Sequence, residues 1–255
     1  MQRERVPILE FDPTVRAVIE PTDHILKLDV PEHCVPCFFK EVIEGLVARG
    51  LVRQAACMHS EMGDHPLYET SVGGRRLALY QSGLTAPFAA ALLEEVIATG
   101  CRKFVACGGA GVLDKGIAVG HVVVPTAAVR DEGTSYHYLK PGREVAASPE
   151  AVAAIESVLT ARGVPYVTAK TWTTDAFYRE TQDKVALRRS EGCLTVEMEA
   201  AAFFAVAQFR GVTFGQILYG GDDVSGCDWD SRKWQGRHDV REALFHLSAE
   251  ACLLL

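Results

Sequence analysis

The stretch Thr195-Val196-Glu197-Met198-Glu199-Ala200-Ala201-Ala202, continued by Phe203-Phe204-Ala205-Val206-Ala207, decides how this chain is interpreted. Apolar residues fill almost every position after Glu199, which predicts a helix buried inside a sizeable protein. Two carboxylates, Glu197 and Glu199, stand at its start, where the helix dipole favours negative charge. The functional alternative is that a carboxylate held on this rigid element accepts both hydroxyls of a vicinal diol, since charge-assisted hydrogen bonds are the strong ones.

Composition limits the class of protein. The chain has 255 residues, 48% of them hydrophobic, which suits one large α/β domain or two small ones. A net charge of -7 argues against nucleic acid as the main partner, although one local site can still bind a small anion. No apolar run approaches the ~18–20 residues of a membrane helix, and residues 1–7 lack the apolar core of a signal peptide. We therefore expect a cytoplasmic protein without a membrane partner.

The eight cysteines are scattered along the chain. Without an export signal we expect no disulfide framework. The segment His33-Cys34-Val35-Pro36-Cys37 has the spacing of half a zinc site. Structural zinc usually needs four ligands, and no second pair follows, so we expect no metal.

Periodicity and turn residues predict helices alternating with strands. The predicted helices cover 36–50, 89–100, 149–162, 181–191, the central stretch and 237–254, and the predicted strands cover 68–72, 76–80, 103–107, 121–125, 166–173 and 213–219. Residues 1–30 read as an irregular arm with one short strand, and 224–236 as a mobile flap or an interface loop. The alternation indicates an α/β fold with a mixed or mainly parallel sheet. With no repeat or linker, residues 1–255 are expected to form a single domain.

In such folds ligands bind at the carboxyl ends of the strands. The candidate groups that follow strands are the loop at Gly83, the run Gly108-Gly109-Ala110-Gly111, Phe177, Glu199 and Asp222. The glycine run lets a ligand approach the backbone closely, although a plain tight turn explains it equally well. The polar loop 126–138 is expected to face a pocket or a neighbouring subunit.

Several motifs together resemble the nucleoside phosphorylase superfamily, the group with uridine phosphorylase and the hexameric purine nucleoside phosphorylases. Glu197-Met198-Glu199-Ala200-Ala201 looks like its ribose-binding segment, and Thr174-Asp175-Ala176-Phe177-Tyr178 resembles its base pocket. Gly83 to Pro87 is similar to the phosphate-side loop, and Thr126 to His137 is similar to a stretch of uridine phosphorylases. The resemblance covers about residues 65–223. It implies a single-domain three-layer α/β/α fold with a mixed central sheet, a nucleoside substrate, no metal, no cofactor other than phosphate as co-substrate, and a homo-oligomer of dimers, a hexamer.

The resemblance also implies roles for individual residues. Glu199 would bind the ribose hydroxyls, with Met198 packing on the sugar and Glu197 supporting the contact. The remaining implied positions are Phe177, Tyr178 and Gln182 at the base, Asp222 as the acid for the leaving base with Asp223 as its substitute, and Gly83, Thr85, Gly109 and Arg130 at phosphate.

The chain also departs from the family pattern. Ala106 stands where the second phosphate arginine normally lies, and Gly109 replaces the hydroxyl residue that follows it. The segment Asp12-Pro13-Thr14-Val15-Arg16 matches only partly the family loop that carries the first phosphate arginine. The glutamine and arginine that read uracil have only Gln182 and Arg179 as counterparts, both out of register.

The expected activity is cleavage of the N-glycosidic bond of a ribonucleoside by phosphate, giving free base and ribose 1-phosphate. A nucleosidase, in which water replaces phosphate, is the alternative on the same fold, and Ala106 favours it. A non-catalytic nucleoside-binding protein is the alternative from another class, and the paired acids Asp222 and Asp223 argue against it.

Overall fold

The computed structural model describes residues 3–255, so the first two residues of the N-terminal arm lie outside the described residues. The helices are α1 Pro21–His24, α2 Lys40–Ala48, α3 Ala86–Thr99, α4 Pro149–Ala161, α5 Gln182–Ser190, α6 Ala200–Arg210 and α7 His238–Leu253. The strands are β1 His33–Cys37, β2 Arg53–Ser60, β3 Gly63–Val72, β4 Arg75–Gln81, β5 Lys103–Val112, β6 Val122–Asp131, β7 Glu144–Ala146, β8 Tyr166–Thr174, β9 Cys193–Glu197 and β10 Thr213–Asp223.

All ten strands belong to one mixed sheet, in the order β10-β6-β8-β9-β5-β1-β4-β3-β2, with β7 paired to β6. Strand β10 also pairs with β5, so β5, β9, β8, β6 and β10 close into a ring. Strand β1 runs parallel to both β4 and β5, and β10 runs parallel to β5. Strand β9 is antiparallel to β5. The α/β class and the mixed central sheet are thus confirmed.

Two apolar cores lie on opposite faces of the sheet. Helices α3 and α6 pack on one face, where Phe104, Phe203 and Phe214 form a stack. Helices α2, α4 and α7 pack on the other, against residues such as Val105, Ile217 and Leu244. This is the three-layer arrangement, and it explains why both strand faces are apolar.

The central stretch is divided between two elements, which corrects the sequence-based reading. Thr195, Val196 and Glu197 belong to β9, because Thr195 and Val196 pair with both β5 and β8. Helix α6 begins only at Ala200, with Glu199 as its N-cap residue. Glu197 therefore ends a strand, and only Glu199 stands at the helix start.

Other elements differ from their predicted extents. Pro36 and Cys37 lie in β1, so α2 begins at Lys40 and ends at Ala48. The glycine run forms the second half of β5, and β6 continues through Arg130 to Asp131 where a loop was expected. Residues 3–30 hold a 3-10 turn and α1 but no strand. The hairpin of β3 and β4, turning at Gly73 and Gly74 with positive φ, is confirmed.

Two further observations concern binding and location. Cys34 belongs to one core and Cys37 to the other, so their thiols face opposite sides of the sheet and do not form half of a zinc site. Within residues 3–255, no helix combines the length and apolar character needed to cross a membrane.

Candidate active site

The carboxyl ends of β5, β9 and β10 meet at one place in the ring. Strands β5 and β9 pair only through Gly111–Val196 and Val112–Thr195, near the end of each, and Asp223 of β10 stands beside Val112. A cavity of about 1160 Å³ opens there, covered by the turn at 177–179 and by the flap 224–236. The sequence-predicted residues that line it are Gly109, Phe177, Tyr178, Gln182, Glu197, Met198, Glu199 and Asp222.

Glu197 joins three elements under this cavity. One carboxylate oxygen accepts a hydrogen bond from the hydroxyl of Thr173 on β8 at 2.6 Å. The other accepts the backbone N–H groups of Glu199 at 2.7 Å and Ala200 at 2.6 Å. Glu197 thereby satisfies N–H groups that the first turn of α6 leaves free. Its role in the structure is to fix the position of Glu199.

Glu199 is 5% exposed and accepts the backbone N–H of Thr85 at 2.6 Å. This bond links the start of α6 to the loop that precedes α3. Burial raises the pKa of both Glu197 and Glu199, and the neighbouring Glu197 charge raises that of Glu199 further. No Lys or Arg of residues 3–255 forms an ion pair with either carboxylate. Glu199 is thus a desolvated acceptor with space beside it.

Aromatic rings form the outer wall. Phe177 and Tyr178 have ring centroids 4.1 Å apart and are 50% and 88% exposed, so large apolar faces remain uncovered. Trp229 of the flap is also exposed and lines the same space. A planar ring inserted here would cover surface that water now contacts, which is a favourable change.

Glu180 is a cavity residue that sequence analysis missed. It follows the 177–179 turn, and its carboxyl group makes no hydrogen bond within residues 3–255. Burial, followed by the charge of Asp222, raises its pKa to about 7. The signal that could have revealed it is an acid two positions after Tyr178, at the end of the turn. Two carboxyl groups therefore face the base side of the cavity.

The two predicted acids have different surroundings. Asp222 lines the cavity and accepts the indole N–H of Trp229 at 2.7 Å. Asp223 lies outside the cavity lining, where it accepts the guanidinium of Arg232 and the backbone N–H of Ser225. Burial raises the pKa of Asp223, but the hydrogen bonds from Ser225 and the Arg232 pair together outweigh it and hold that pKa below its usual range. Asp222 is the acid that can meet a substrate, whereas Asp223 anchors the flap.

The residues assigned to phosphate are only partly assembled. Gly109 lines the cavity, and a side chain there would meet the Tyr219 ring at 3.1 Å. Gly83 packs under Phe88, where an added Cβ would lie 2.5 Å from the ring. Thr85 has a φ of 73°, and its N–H donates to Glu199 instead of remaining free.

Arg130 corrects the prediction most clearly. It is buried on β6, and its guanidinium donates to the Ser135 hydroxyl at 2.8 Å and to the carbonyls of Lys140 and Leu139. The same group stacks on Tyr136, 4.3 Å from the ring centroid. Its donors are used in holding the 134–140 segment, and it does not line the cavity. The loop 126–138, expected to face a pocket or a neighbouring subunit, is organised around Arg130, and its contact with a neighbouring subunit stays a prediction.

The charge of the cavity wall is unbalanced. Five acids line it, namely Glu180, Glu197, Glu199, Asp222 and Asp228, against the two cations Lys233 and Arg241. Arg241 is already bonded to Glu41 and to the Tyr219 hydroxyl. A phosphate dianion would find little positive charge among these lining residues.

One group of metal-type ligands lies elsewhere. Cys57, His59 and Asp64 of the β2–β3 hairpin bring one ligand atom each within 4.8 Å of one another. Cys57 is half-buried and the other two are exposed, and His59 already bonds Asp64 at 2.8 Å. Such a cluster is common without an ion, and none of its three residues lines the cavity.

Comparison with known proteins decides the family, because the profile described as "Phosphorylase superfamily" matches residues 42–244. The chain belongs to the phosphorylase superfamily. Among curated superfamily members, a guanosine phosphorylase from Halorubrum lacusprofundi is 33% identical over 161 residues, covering 60% of this chain and 64% of that protein. A uridine phosphorylase from Thermococcus kodakarensis is 29% identical, covering 62% of each chain. The match therefore spans less than two thirds of these relatives' own length.

Solved structures support the superfamily fold. A uridine phosphorylase from Vibrio fischeri superposes with a TM-score of 0.74 at 20% identity, covering 95% of this chain and 96% of that one. An AMP nucleosidase from Bacteroides thetaiotaomicron superposes with a TM-score of 0.69 at 21% identity, covering 89% of each. The fold of this chain is thus similar both to a protein named phosphorylase and to one named nucleosidase.

Proposed function

We propose that this chain cleaves the N-glycosidic bond of a ribonucleoside. The observation that carries the proposal is that Glu199, the Phe177–Tyr178 pair and Asp222 line a single cavity. A buried carboxylate suits two sugar hydroxyls, aromatic faces suit a nucleobase, and an acid at the base side can supply a proton.

The proposed reaction follows from these groups. Glu199 holds the ribose hydroxyls while Glu197 keeps Glu199 in place. An oxygen nucleophile forms a bond to C1′ as the bond from C1′ to the base nitrogen breaks. The electron pair of the broken bond leaves with the base. The departing base takes a proton at a ring nitrogen, and Asp222, which lines the cavity, is the proposed general acid. Buried carboxylates near the sugar also stabilise its oxocarbenium-like charge.

Phosphate is the proposed nucleophile, giving free base and ribose 1-phosphate, with no cofactor besides phosphate as co-substrate. The support is the superfamily, in which curated relatives are named guanosine and uridine phosphorylase. The guanidinium of Arg130 is bonded to its own loop and does not line the cavity. We therefore propose that cations from a neighbouring subunit complete the phosphate site, in a homo-oligomer of dimers. We also propose that residues 1–255 form one domain, that the protein acts in the cytoplasm, and that neither nucleic acid nor membrane is a partner.

A specific observation favours hydrolysis as a second candidate. The five acids and two cations of the cavity wall suit neutral water better than a dianion. Ala106 of β5 adds no charge beside them. In that case water attacks C1′ and free ribose is the product.

The experiment is turnover of uridine, guanosine, inosine and adenosine in phosphate-free buffer and with phosphate added. Free base, ribose and ribose 1-phosphate are separated. A phosphate requirement with ribose 1-phosphate as product supports phosphorolysis, and phosphate-independent release of ribose supports hydrolysis. Saturable nucleoside binding without turnover would support the non-catalytic alternative and contradict both.

A further inference from the structure

Trp229 of the flap has a polar atom that the proposed reaction has not yet used. Its indole N–H donates to Oδ2 of Asp222 at 2.7 Å, although the side chain is 65% exposed. Both residues line the cavity. Water could satisfy the N–H of a ring this exposed, so its direct bond to the candidate acid is a specific feature of the cavity wall.

The Asp222 carboxyl group depends on this one bond for its orientation. Within residues 3–255 it accepts no other hydrogen bond and forms no ion pair. The adjacent Asp223, by contrast, bonds both Ser225 and Arg232. The Oδ1 atom of Asp222 therefore has no protein partner within the described residues, and it is available to a ligand.

The same carboxyl group lies where β5 and β9 meet β10. A Cβ built on Gly111 of β5 would lie 3.6 Å from Oδ1 and 3.8 Å from Oδ2 of Asp222. Gly111 pairs with Val196 of β9, and both of these residues line the cavity. The missing side chain of Gly111 thus leaves room for both carboxyl oxygens in the cavity wall.

The flap attaches the indole to the strand that carries the acid. Asp230, the residue after Trp229, exchanges two backbone hydrogen bonds with Asp223, of 2.8 and 3.1 Å. Arg232 adds side-chain bonds to Asp223 and to the carbonyl of Ile117. The indole therefore belongs to an anchored segment, and its bond to Asp222 is one of several that join the flap to β10.

The indole determines which oxygen of Asp222 can carry a proton. An indole nitrogen donates and does not accept, so its partner Oδ2 has to accept. A proton that Asp222 gives to a substrate must then lie on Oδ1. Without this bond the carboxyl group can turn, because the terminal torsion of an aspartate has broad energy wells. The proton would then point in more than one direction.

From these contacts, and resting on the proposed function, we propose that Trp229 is a positioning residue that directs the proton of Asp222 toward the leaving base. As the bond from C1′ to the base nitrogen breaks, its electron pair leaves with the base, and a ring nitrogen of the base takes the proton from Oδ1. Asp222 is left as a carboxylate. Its Oδ2 keeps the bond from the indole, which is then charge-assisted and stronger. Trp229 itself exchanges no proton.

The test compares two substitutions at this position. Trp229→Phe keeps a flat apolar ring and removes the N–H group. Trp229→His has a smaller and more polar ring, but its Nε2 can occupy the place of the indole nitrogen and donate. A role limited to packing favours Trp229→Phe as the better substitute, whereas a role in positioning Asp222 favours Trp229→His. The order of the two variants therefore separates the two roles.

We expect kcat for the most rapidly cleaved nucleoside to fall about 10-fold in Trp229→Phe, which is part of what a positioned general acid contributes. KM should change less than about threefold, since an aromatic ring still covers the base. In Trp229→His, kcat should return to within about threefold of the wild-type value. Tyr166→Phe is the matched control with wild-type kcat, because it removes an aromatic donor to Glu156 outside the cavity lining.

Several outcomes overturn the inference. Wild-type kcat in Trp229→Phe would show that Asp222 needs no positioning, and a lower kcat in Trp229→His than in Trp229→Phe would indicate packing alone. A defect confined to KM would show that the ring only binds the base. Wild-type turnover in Asp222→Asn would leave Trp229 with no acid to position. A wild-type chain inactive on every nucleoside overturns the proposed function together with this inference, whereas an active wild type with an equally active Trp229→Phe overturns the inference alone.

Discussion

At the scale of single residues, the site depends on carboxyl groups placed where water is scarce. Glu199 has no cation beside it, and its pKa is raised by burial and by Glu197. A carboxyl group with a raised pKa keeps its proton to higher pH in the folded chain than in the unfolded chain. The free energy of unfolding therefore falls as pH rises from the unfolded carboxyl value toward the raised value. In the proposed reaction, the ionised form of Glu199 that accepts the sugar hydroxyls is gained over the same pH range.

Glu199→Gln should separate these two effects. Glutamine keeps an acceptor for Thr85 but removes the buried charge. We expect turnover to fall at least about 100-fold, while the melting temperature rises at about pH 8 and stays unchanged near pH 5. Activity assays and calorimetry at both values measure this, with Glu61→Gln on the exposed β2–β3 turn as control. Wild-type turnover would exclude Glu199 from the sugar site.

Glu180 gives a second, independent pH dependence. Its pKa of about 7 reflects burial and the nearby Asp222 charge. Since the raised value lies above the unfolded one, Glu180 lowers stability as pH rises toward and past about 7. We expect Glu180→Gln to reduce the loss of stability between about pH 5 and pH 8, measured by urea unfolding at each pH. An unchanged pH profile would show that Glu180 titrates normally.

At the scale of elements, the flap 224–236 is held by hydrogen bonds to the carboxylates of Asp222 and Asp223. Trp229 donates to Asp222, and Arg232 bonds both Asp223 and the Ile117 carbonyl at 2.6 Å. The backbone of Asp230 also pairs with that of Asp223. The flap therefore rests on β10, the strand that carries the candidate acid Asp222.

Arg232→Ala should loosen this flap. Loss of both bonds exposes the peptide around Trp229 and Trp234, so chymotrypsin should cut there several-fold faster. Nucleoside affinity should fall as well, because Trp229 lines the cavity. Mass spectrometry of timed digests measures the cutting. Arg49→Ala, at an exposed ion pair with Glu242, is the control, and equal digestion rates would contradict the anchoring role.

Two glycines test how closely the sheet and α4 approach each other. A Cβ on Gly215 would lie 2.8 Å from the Cβ of Ala151, whereas one on Gly45 in α2 would meet nothing within 4 Å. We expect Gly215→Ala to destabilise the chain by ~1–3 kcal/mol through overpacking. Gly45→Ala should stabilise it by ~0.4–1 kcal/mol. Denaturant unfolding measures both, and equal effects would contradict the close contact at β10.

The sequence predicted more of the fold than of the site. Regular patterns located most helices and strands, and the hairpin at Gly73 and Gly74 followed from turn chemistry. The break between β9 and α6 was missed, because a short apolar strand and a buried helix have the same composition. Arg130 was misassigned because its guanidinium is bonded to carbonyls of its own loop, a contact that no local pattern encodes.

At the scale of the whole molecule, the distribution of charge bears on assembly. The chain is acidic overall, at -7, and its cavity wall is acidic as well. The described lining supplies only Lys233 and Arg241 as cations, and Arg241 is already bonded to Glu41 and Tyr219. Under the proposed phosphorolysis a neighbouring subunit completes the phosphate site, whereas the hydrolytic alternative needs no such contribution.

Dilution should distinguish these cases. If phosphate attacks, phosphate-dependent turnover per subunit should fall as the oligomer dissociates, and it should return on concentration. Activity measured beside sedimentation at each concentration tests this. Activity that stays constant per subunit while the oligomer dissociates would show that each chain carries a complete site.

The closed ring of strands has a consequence for aggregation. Strands inside a ring expose no unpaired edge, and here β10 closes the circuit by pairing with both β5 and β6. The edges left open are β2 and the three-residue β7. Strand β2 carries Arg53 and His59 on its exposed positions, and charge on an edge discourages pairing with foreign strands. A mutation that neutralises Arg53 would therefore expose the chain to self-association through β2 before it affects the cavity.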